Sequence, residues 1–234
     1  MATIVVCHGA WSAAWAWKKM RPLMRAAGHE LIVPTYTGLG EREHLLTRYI
    51  NLDTHIDDVL GVLKYEDLRD VILVGHSYGG MVATGVASWA EERIKRLVYY
   101  DAFVPRPGQS LADLQPAGGA QRMKDLAAKE GDGWLVPSNP IPPDTALADV
   151  DWISPRRRSQ PLQCFEQKLA LKNDLTLPRS YIYCRRIGPV DVFRPFLERA
   201  RAEGWPTYEI DASHSAHVTA PEPLAALLGR IAAA

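Results

Sequence analysis

Residues 71–86 read VILVGHSYGGMVATGV. Four apolar residues run straight into Gly75-His76-Ser77-Tyr78-Gly79, and a stretch of small residues follows. The apolar run predicts a buried strand, and the stretch behind it a helix. One serine therefore stands between two glycines where strand gives way to helix. G-x-S-x-G in that setting describes a nucleophile elbow. The serine takes strained backbone angles on a sharp turn, and the flanking glycines remove Cβ atoms that would collide with the neighbouring strand and helix. Its hydroxyl is held out above the strand ends. The helix N-terminus behind it offers free N–H groups and a positive dipole end, which stabilise an oxyanion. A bare G-x-S-x-G also arises by chance, but here the required context is present on both sides.

The same rhythm extends outward from the elbow. Strands are predicted at TIVVCH (3–8), HELIVPTY (29–36), DVILVGH (70–76), IKRLVYYDAF (94–103), RSYIYC (179–184) and TYEIDA (207–212). All but the last are nearly continuous in Val, Ile, Leu and Tyr, as strands covered on both faces require. Helices are predicted between them: WAWKKMRPLMRAAG, closed by Gly28; THIDDVLGVLKYE, capped by Asp53; GMVATGVASWAEER; DVFRPFLERARAEG, closed by Gly204; and PEPLAALLGRIAAA, with Pro221 in its first turn. Strand and helix alternating in this way imply right-handed crossovers and an open, mostly parallel α/β sheet flanked by helices. Residues 105–178 break the pattern. They are rich in Pro and Gly, hold no convincing strand, and contain helical pieces such as QRMKDLAAKE and QCFEQKLALK. A structureless loop of that length is improbable in a compact domain. A helical cap is therefore expected at 105–178, inserted into a core made of 1–104 and 179–234.

The 234 residues, 47% of them hydrophobic, suit one globular domain with an inserted lobe. Lys+Arg and Asp+Glu both number 27, so no basic excess points to nucleic acid and no polybasic arm to a membrane surface. Cys7, Cys164 and Cys184 are widely spaced, with no C-x-x-C pair. Reduced thiols in a cytoplasmic protein are the expectation. The N-terminus lacks a basic leader and a cleavage region, so no signal peptide is expected. No apolar run approaches the roughly 20 residues of a membrane span. Of the seven histidines, His76 adjoins Ser77 at a tight turn and points away from it. His29, His44 and His55 fall at loop or helix-start positions and are read as solvated. His214 and His217 lie just past the last strand.

At this point the sequence resembles the α/β-hydrolase superfamily, and within it the plant methylesterase and hydroxynitrile lyase group with its bacterial esterase relatives. The resemblance is carried by VVCHGAWSAAWAW at the first strand, PTYTGLGER after the second, VGHSYGGM at the elbow, YYDAFVP after the fourth, and DASHSAHVTAPEPL near the end. These stretches cover most of the sheet domain, whereas the cap is similar only in position and composition. The chain begins at what would be the family's third strand, which implies a sheet of about six strands. The family's order of nucleophile, acid and histidine, together with a histidine seven residues before Pro221, implies that His214 is the base for Ser77. His217 then lines the pocket or starts a helix, and His8 is structural. The acid has two candidates. Asp101 ends IKRLVYYD, where some members of the superfamily carry it. Asp191, in G-P-V-D-V-F-R-P, loosely copies a G-x-x-D pattern in the more usual loop. Asp101 is preferred and Asp191 is the alternative. The oxyanion donors implied are the N–H groups of Tyr78 and Ala10.

Trp11, Trp134, Trp152 and Phe165 are candidate substrate-binding walls, with packing as the competing role. Trp15 and Trp17 are read as packing. The Arg156-Arg157-Arg158 run is read as a solvated face rather than a site for an anionic substrate. Together these readings describe a serine hydrolase that cleaves small carboxylic esters through an acyl-enzyme, with no metal or organic cofactor and with a small-molecule ester as its partner. The oligomeric state, a homodimer included, stays open. Two alternatives use the same scaffold: cyanohydrin cleavage, and a hydrolase-derived receptor. The plant lyases carry a lysine after the histidine and a threonine after the first-strand histidine. Ser215 and Gly9 stand at those positions. A haloalkane dehalogenase or epoxide hydrolase needs a carboxylate at the elbow, which Ser77 excludes.

Overall fold

The computed structural model describes residues 1–186 and 190–233. Strands β1 (Thr3–Cys7), β2 (Glu30–Ile32), β3 (Val71–Ser77) and β4 (Ile94–Ala102) are followed by β5 (Leu135–Val136) and β6 (Gln160–Pro161), then β7 (Arg179–Cys184) and β8 (Thr207–Ile210). Six of them form one sheet in the order β2-β1-β3-β4-β7-β8, with every pairing parallel.

The continuous apolar runs have a direct physical reading. In β1 and β3, Val5, Cys7, Val71 and Leu73 face one core while Ile4, Val6, Ile72 and Val74 face the other. Successive side chains point to opposite faces, so strands covered twice must be apolar at every position. Helices α2 (Leu52–Tyr65), α3 (Gly79–Trp89) and α7 (Arg194–Ala202) supply Ile56, Val59, Met81, Val82 and Leu197 to the first core. Helices α1 (Met20–Ala26) and α8 (Pro221–Ala233) cover the other face with Met20, Met24, Leu224, Leu228 and Ile231.

Asn51, not Asp53, caps α2. Its side chain accepts from Thr54 N at 3.0 Å, and Thr54 Oγ1 accepts from Asn51 N at 3.3 Å, a reciprocal box. Asp53 lies inside the first turn and accepts from Gln167 Nε2 at 2.6 Å.

Residues 105–178 add no strand to the main sheet. They carry α4 (Gly119–Glu130), α5 (Leu147–Ile153) and α6 (Gln163–Glu166). Contrary to the expectation of no strand, β5 and β6 form a small antiparallel ribbon pairing Leu135 with Pro161 and Val136 with Gln160. QCFEQKLALK is helical only at its start, because α6 ends at Glu166. Among the described residues no helix is long and apolar enough to cross a membrane.

The strand order reverses at β1: β2 lies on one side of it and β3 on the other. Ligands in open α/β sheets bind beyond the carboxyl ends of the strands at such a switch point. The loop after β1 and the turn after β3 meet there.

Candidate active site

Ser77 is the last residue of β3 and has φ +56°, in the left-handed region that side chains avoid. Local crowding accounts for this strain. A Cβ on Gly79 would lie 1.9 Å from the Cys7 carbonyl oxygen, and one on Gly80 2.0 Å from that of Phe103. The first turn of α3 is thus wedged between β1 and the chain leaving β4, and only glycine fits on that side. Ser77 is forced outward, half-buried, at a point where two cavities meet.

A register shift between β3 and β4 brings the next group into place. His76 pairs with Tyr100 and Ser77 with Ala102, so Asp101 is the extra residue of a bulge, with φ +43°. Bulges re-aim side chains, and asparagine and aspartate tolerate that backbone region better than other residues. Asp101 is 3% exposed. Its Oδ1 accepts from Cys184 N at 3.1 Å, and its Oδ2 lies 2.6 Å from His214 Nδ1. The structure therefore sets Asp101 against His214. Asp191 is held elsewhere: it accepts from the Tyr183 hydroxyl at 2.7 Å and from Arg194 N and Nε at 3.0 and 3.1 Å, at the start of α7. Gly188, the first residue of the G-x-x-D pattern, lies outside the described residues.

The loop carrying His214 is pinned from below. Its carbonyl accepts from His76 Nε2 at 2.9 Å and from the Tyr100 hydroxyl at 3.2 Å, and its ring stacks on Phe193 at 4.8 Å. Sequence reasoning passed over His76 and Phe193. The role of His76 as a prop depends on a contact 138 residues away in sequence. Neither the Ser77 hydroxyl nor His214 Nε2 is engaged by another described residue. Such bonds are often long in free enzymes and tighten around substrate.

The remaining histidines of the site are buried. His8 stacks on Tyr36 at 3.8 Å and accepts from Tyr36 N at 3.3 Å through Nε2, so its Nδ1–H donates to Gly9 O at 2.9 Å. His55, expected to be solvated, is fully buried. Its Nε2–H donates to Thr37 O at 3.2 Å, and its Nδ1 accepts from the Tyr78 hydroxyl at 2.9 Å. Its position near the start of α2 reads as polar in sequence, but Tyr36 and Tyr78 close over it. His217 stacks on Trp17 at 4.7 Å and lines one cavity. Of the other two rings read as solvated, His44 is exposed and His29 half-buried.

Burial holds His8 down to about 4 and His55 and His217 down to about 3, and pushes His76 well below the ordinary histidine value. In the unfolded chain all four titrate near 6.5. Below that pH the unfolded state binds more protons than the folded one, so stability falls with pH and keeps falling toward the folded values. Each ring contributes a slope of about 1.4 kcal/mol per pH unit within that window. We expect the urea midpoint to be level from about pH 7 to 8 and to drop steeply between pH 6.5 and 5, with two or more protons taken up on unfolding. A midpoint that stays level from pH 7 to 5 would contradict neutral burial of these rings.

The loop after β1 faces the elbow. Trp11 has φ +56°, and its backbone N–H donates to Gln160 Oε1 at 2.9 Å. Its indole Nε1 donates to Val136 O at 2.9 Å. Both acceptors belong to the β5–β6 ribbon, so the ribbon and this loop are clamped together. Gln160 is fully buried, and no pattern in the sequence singles it out. Ala10 and Tyr78 line the larger cavity beside Ser77, and neither backbone N–H has a partner among the described residues.

The larger cavity, about 730 Å³, is bordered by Phe103, Leu111, Met123, Phe165 and Phe193. The smaller, about 380 Å³, runs past Trp15 and His217. Trp11, Ser77 and His214 border both. Of the four candidate wall residues, Trp11 and Phe165 line a cavity. Trp134 and Trp152 do not. Trp134 sits beneath Arg48 at 6.0 Å, and Trp152 meets the edge of Trp15 at 5.5 Å. Trp15 borders the smaller cavity as well as packing.

A model of the alpha/beta hydrolase family matches residues 4–227. The chain belongs to the α/β-hydrolase family. It is 38% identical to a carbendazim hydrolyzing esterase of Nocardioides sp., over 99% of this chain and all of that protein. It is 31% identical to an alpha-hydroxynitrile lyase of Arabidopsis thaliana, but over only 43% of this chain and 40% of that one. Among solved structures, an extracellular α/β-hydrolase from a Paenibacillus species, described as homologous in structure and function to tobacco salicylic acid binding protein 2, superposes with a TM-score of 0.87. It shares 28% identity, and 98% of each chain is covered. The sequence resemblance to the plant esterase and lyase group and its bacterial relatives therefore stands.

Proposed function

We propose that the chain is a carboxylic ester hydrolase that works through an acyl-enzyme on Ser77. The observation that carries the reading is the 2.6 Å contact between Asp101 Oδ2 and His214 Nδ1 beside a serine held at φ +56°. Ser77 Oγ adds to the ester carbonyl carbon as its proton passes to His214 Nε2. Asp101 keeps the other ring proton on Nδ1 and stabilises the imidazolium. The N–H groups of Ala10 and Tyr78 receive the developing oxyanion. The tetrahedral adduct collapses, the C–O bond to the alcohol breaks, and His214 returns its proton to the departing oxygen. Water then adds to the acyl carbon, giving a proton to His214, and the acid leaves as Ser77 is restored.

Cyanohydrin cleavage is the weaker reading. The threonine of the plant lyases would fall at Gly9, where a Cβ would lie 3.0 Å from His76 Nδ1 and 3.3 Å from Ser77 Cβ. Ser215 cannot supply the positive charge of their lysine. The test is a panel of p-nitrophenyl and methyl esters, with carbendazim included because a full-length relative is named for it, run with and without a serine-directed phosphonate. The expected result is ester turnover that the phosphonate abolishes, with a single adduct on the peptide bearing Ser77. Absence of both turnover and adduct would overturn the proposal. Tight binding of an ester without turnover would favour the receptor alternative.

A further inference from the structure

The two cavities meeting at Ser77 differ in what they offer. The larger is mainly apolar. The smaller contains Asp144, Thr145, Arg157 and Arg186 on its wall. The three consecutive arginines, read in sequence as a solvated face, have separate fates. Arg156 is exposed; it lies over the Trp152 ring and donates to Trp152 O at 2.6 Å. Arg158 is exposed and pairs with Glu43 at 2.7 Å. Arg157 alone borders the smaller cavity, half-buried, with Nη1 donating to Asn139 O.

Arg157 has no carboxylate within ion-pair distance among the described residues. Burial lowers its pKa and no neighbouring negative charge offsets that. Asp144, the acid on the same wall, faces Arg186 at 3.9 Å, and Arg186 is held further by Asp211 at 3.2 Å. A guanidinium drawn out of water without a counter-charge is unfavourable. Its planar fork fits a carboxylate in bidentate fashion.

We propose that the smaller cavity is a carboxylate subsite in which Arg157 pairs with an anionic group of the substrate. The preferred ester then carries a free carboxylate, as a monoester of a dicarboxylic acid does. This rests on the reading that Ser77 opens esters, but the subsite can be read without turnover.

Two measurements separate the claims. In the first, kcat and KM are compared for the monomethyl and dimethyl esters of succinate, glutarate, adipate and phthalate. At least one monoester should be favoured over its diester. Arg157→Gln should reduce kcat/KM for that monoester by about 10- to 100-fold, chiefly through KM, as expected for loss of charge-assisted hydrogen bonds. The diester should change by less than about threefold, which also shows that the variant is folded. Equal losses on both esters, or preference for none of the monoesters, would overturn the subsite. In the second, phthalate and glutarate are titrated into Ser77→Ala, following heat release by calorimetry, with and without Arg157→Gln. Binding weakened by the arginine change supports the subsite even if no ester is cleaved. Ester cleavage with dicarboxylate binding indifferent to Arg157 overturns the subsite and leaves the hydrolase standing.

Discussion

Asp101→Asn should lower kcat for a good ester by roughly 10⁴ while leaving KM and folding nearly unchanged, the magnitude seen when a triad acid becomes its amide. The structure says why the amide is the wrong group. One carboxylate oxygen accepts from Cys184 N at 3.1 Å and the other faces His214 Nδ1 at 2.6 Å. Cys184 N–H can only donate, so an asparagine must turn its oxygen toward it. That leaves the NH₂ pointing at Nδ1. The ring then carries its proton on Nε2 and cannot take one from Ser77. The backbone at φ +43° suits asparagine as well as aspartate, so little strain is added. Asp191→Asn is the control. Its partners are Tyr183 and Arg194, and activity should stay within about threefold, the scale of a surface change away from the reacting groups. Steady-state kinetics on the two variants decides between the acids. An unimpaired Asp101→Asn enzyme would remove this carboxylate from the reaction.

What the sequence made legible follows a physical boundary. The run Val71–Val74 announces a strand buried on two faces because both cores demand apolar groups, and the glycines at 75, 79 and 80 announce close backbone approach. These are local demands, visible in adjacent residues. The edge strands are harder to read: β2 and β8 shrink to three and four residues, since one side of each has no neighbour to extend the ladder. The choice between Asp101 and Asp191 was not settled by local pattern. It turns on the one-residue slip between β3 and β4, which arises from packing across the sheet. His55 shows the same limit, because a polar residue near a helix start reads as solvated until Tyr36 and Tyr78, from two other segments, close over it. Residues 105–178 are the least legible stretch. A two-residue ribbon joining Val136 to Gln160 leaves no periodicity, and Trp134 and Trp152 looked as suited to a pocket as Trp11. Arg157 differs from Arg156 and Arg158 only in which way the chain happens to turn.

Ser77→Ala should reduce kcat by about 10⁶, His214→Ala by a similar factor, and the double variant by no more than either alone. The non-additivity is the sharper part of the prediction. If the serine attacks only as His214 takes its proton, then without the ring the hydroxyl is a poor nucleophile. Without the hydroxyl, the ring has nothing to activate. Neither change touches the N–H groups of Ala10 and Tyr78, which belong to the backbone and have no other described partner. Residual catalysis of roughly 10³ to 10⁴ over water should therefore survive in all three variants, carried by oxyanion stabilisation and binding. The phosphonate gives a second readout. It should modify the parent protein, modify His214→Ala far more slowly, and leave Ser77→Ala unmarked. Two single losses that multiply in the double variant would mean that residues 77 and 214 act in separate steps. The 2.6 Å pair of His214 with Asp101 would then serve some chemistry other than the one that opens at Ser77.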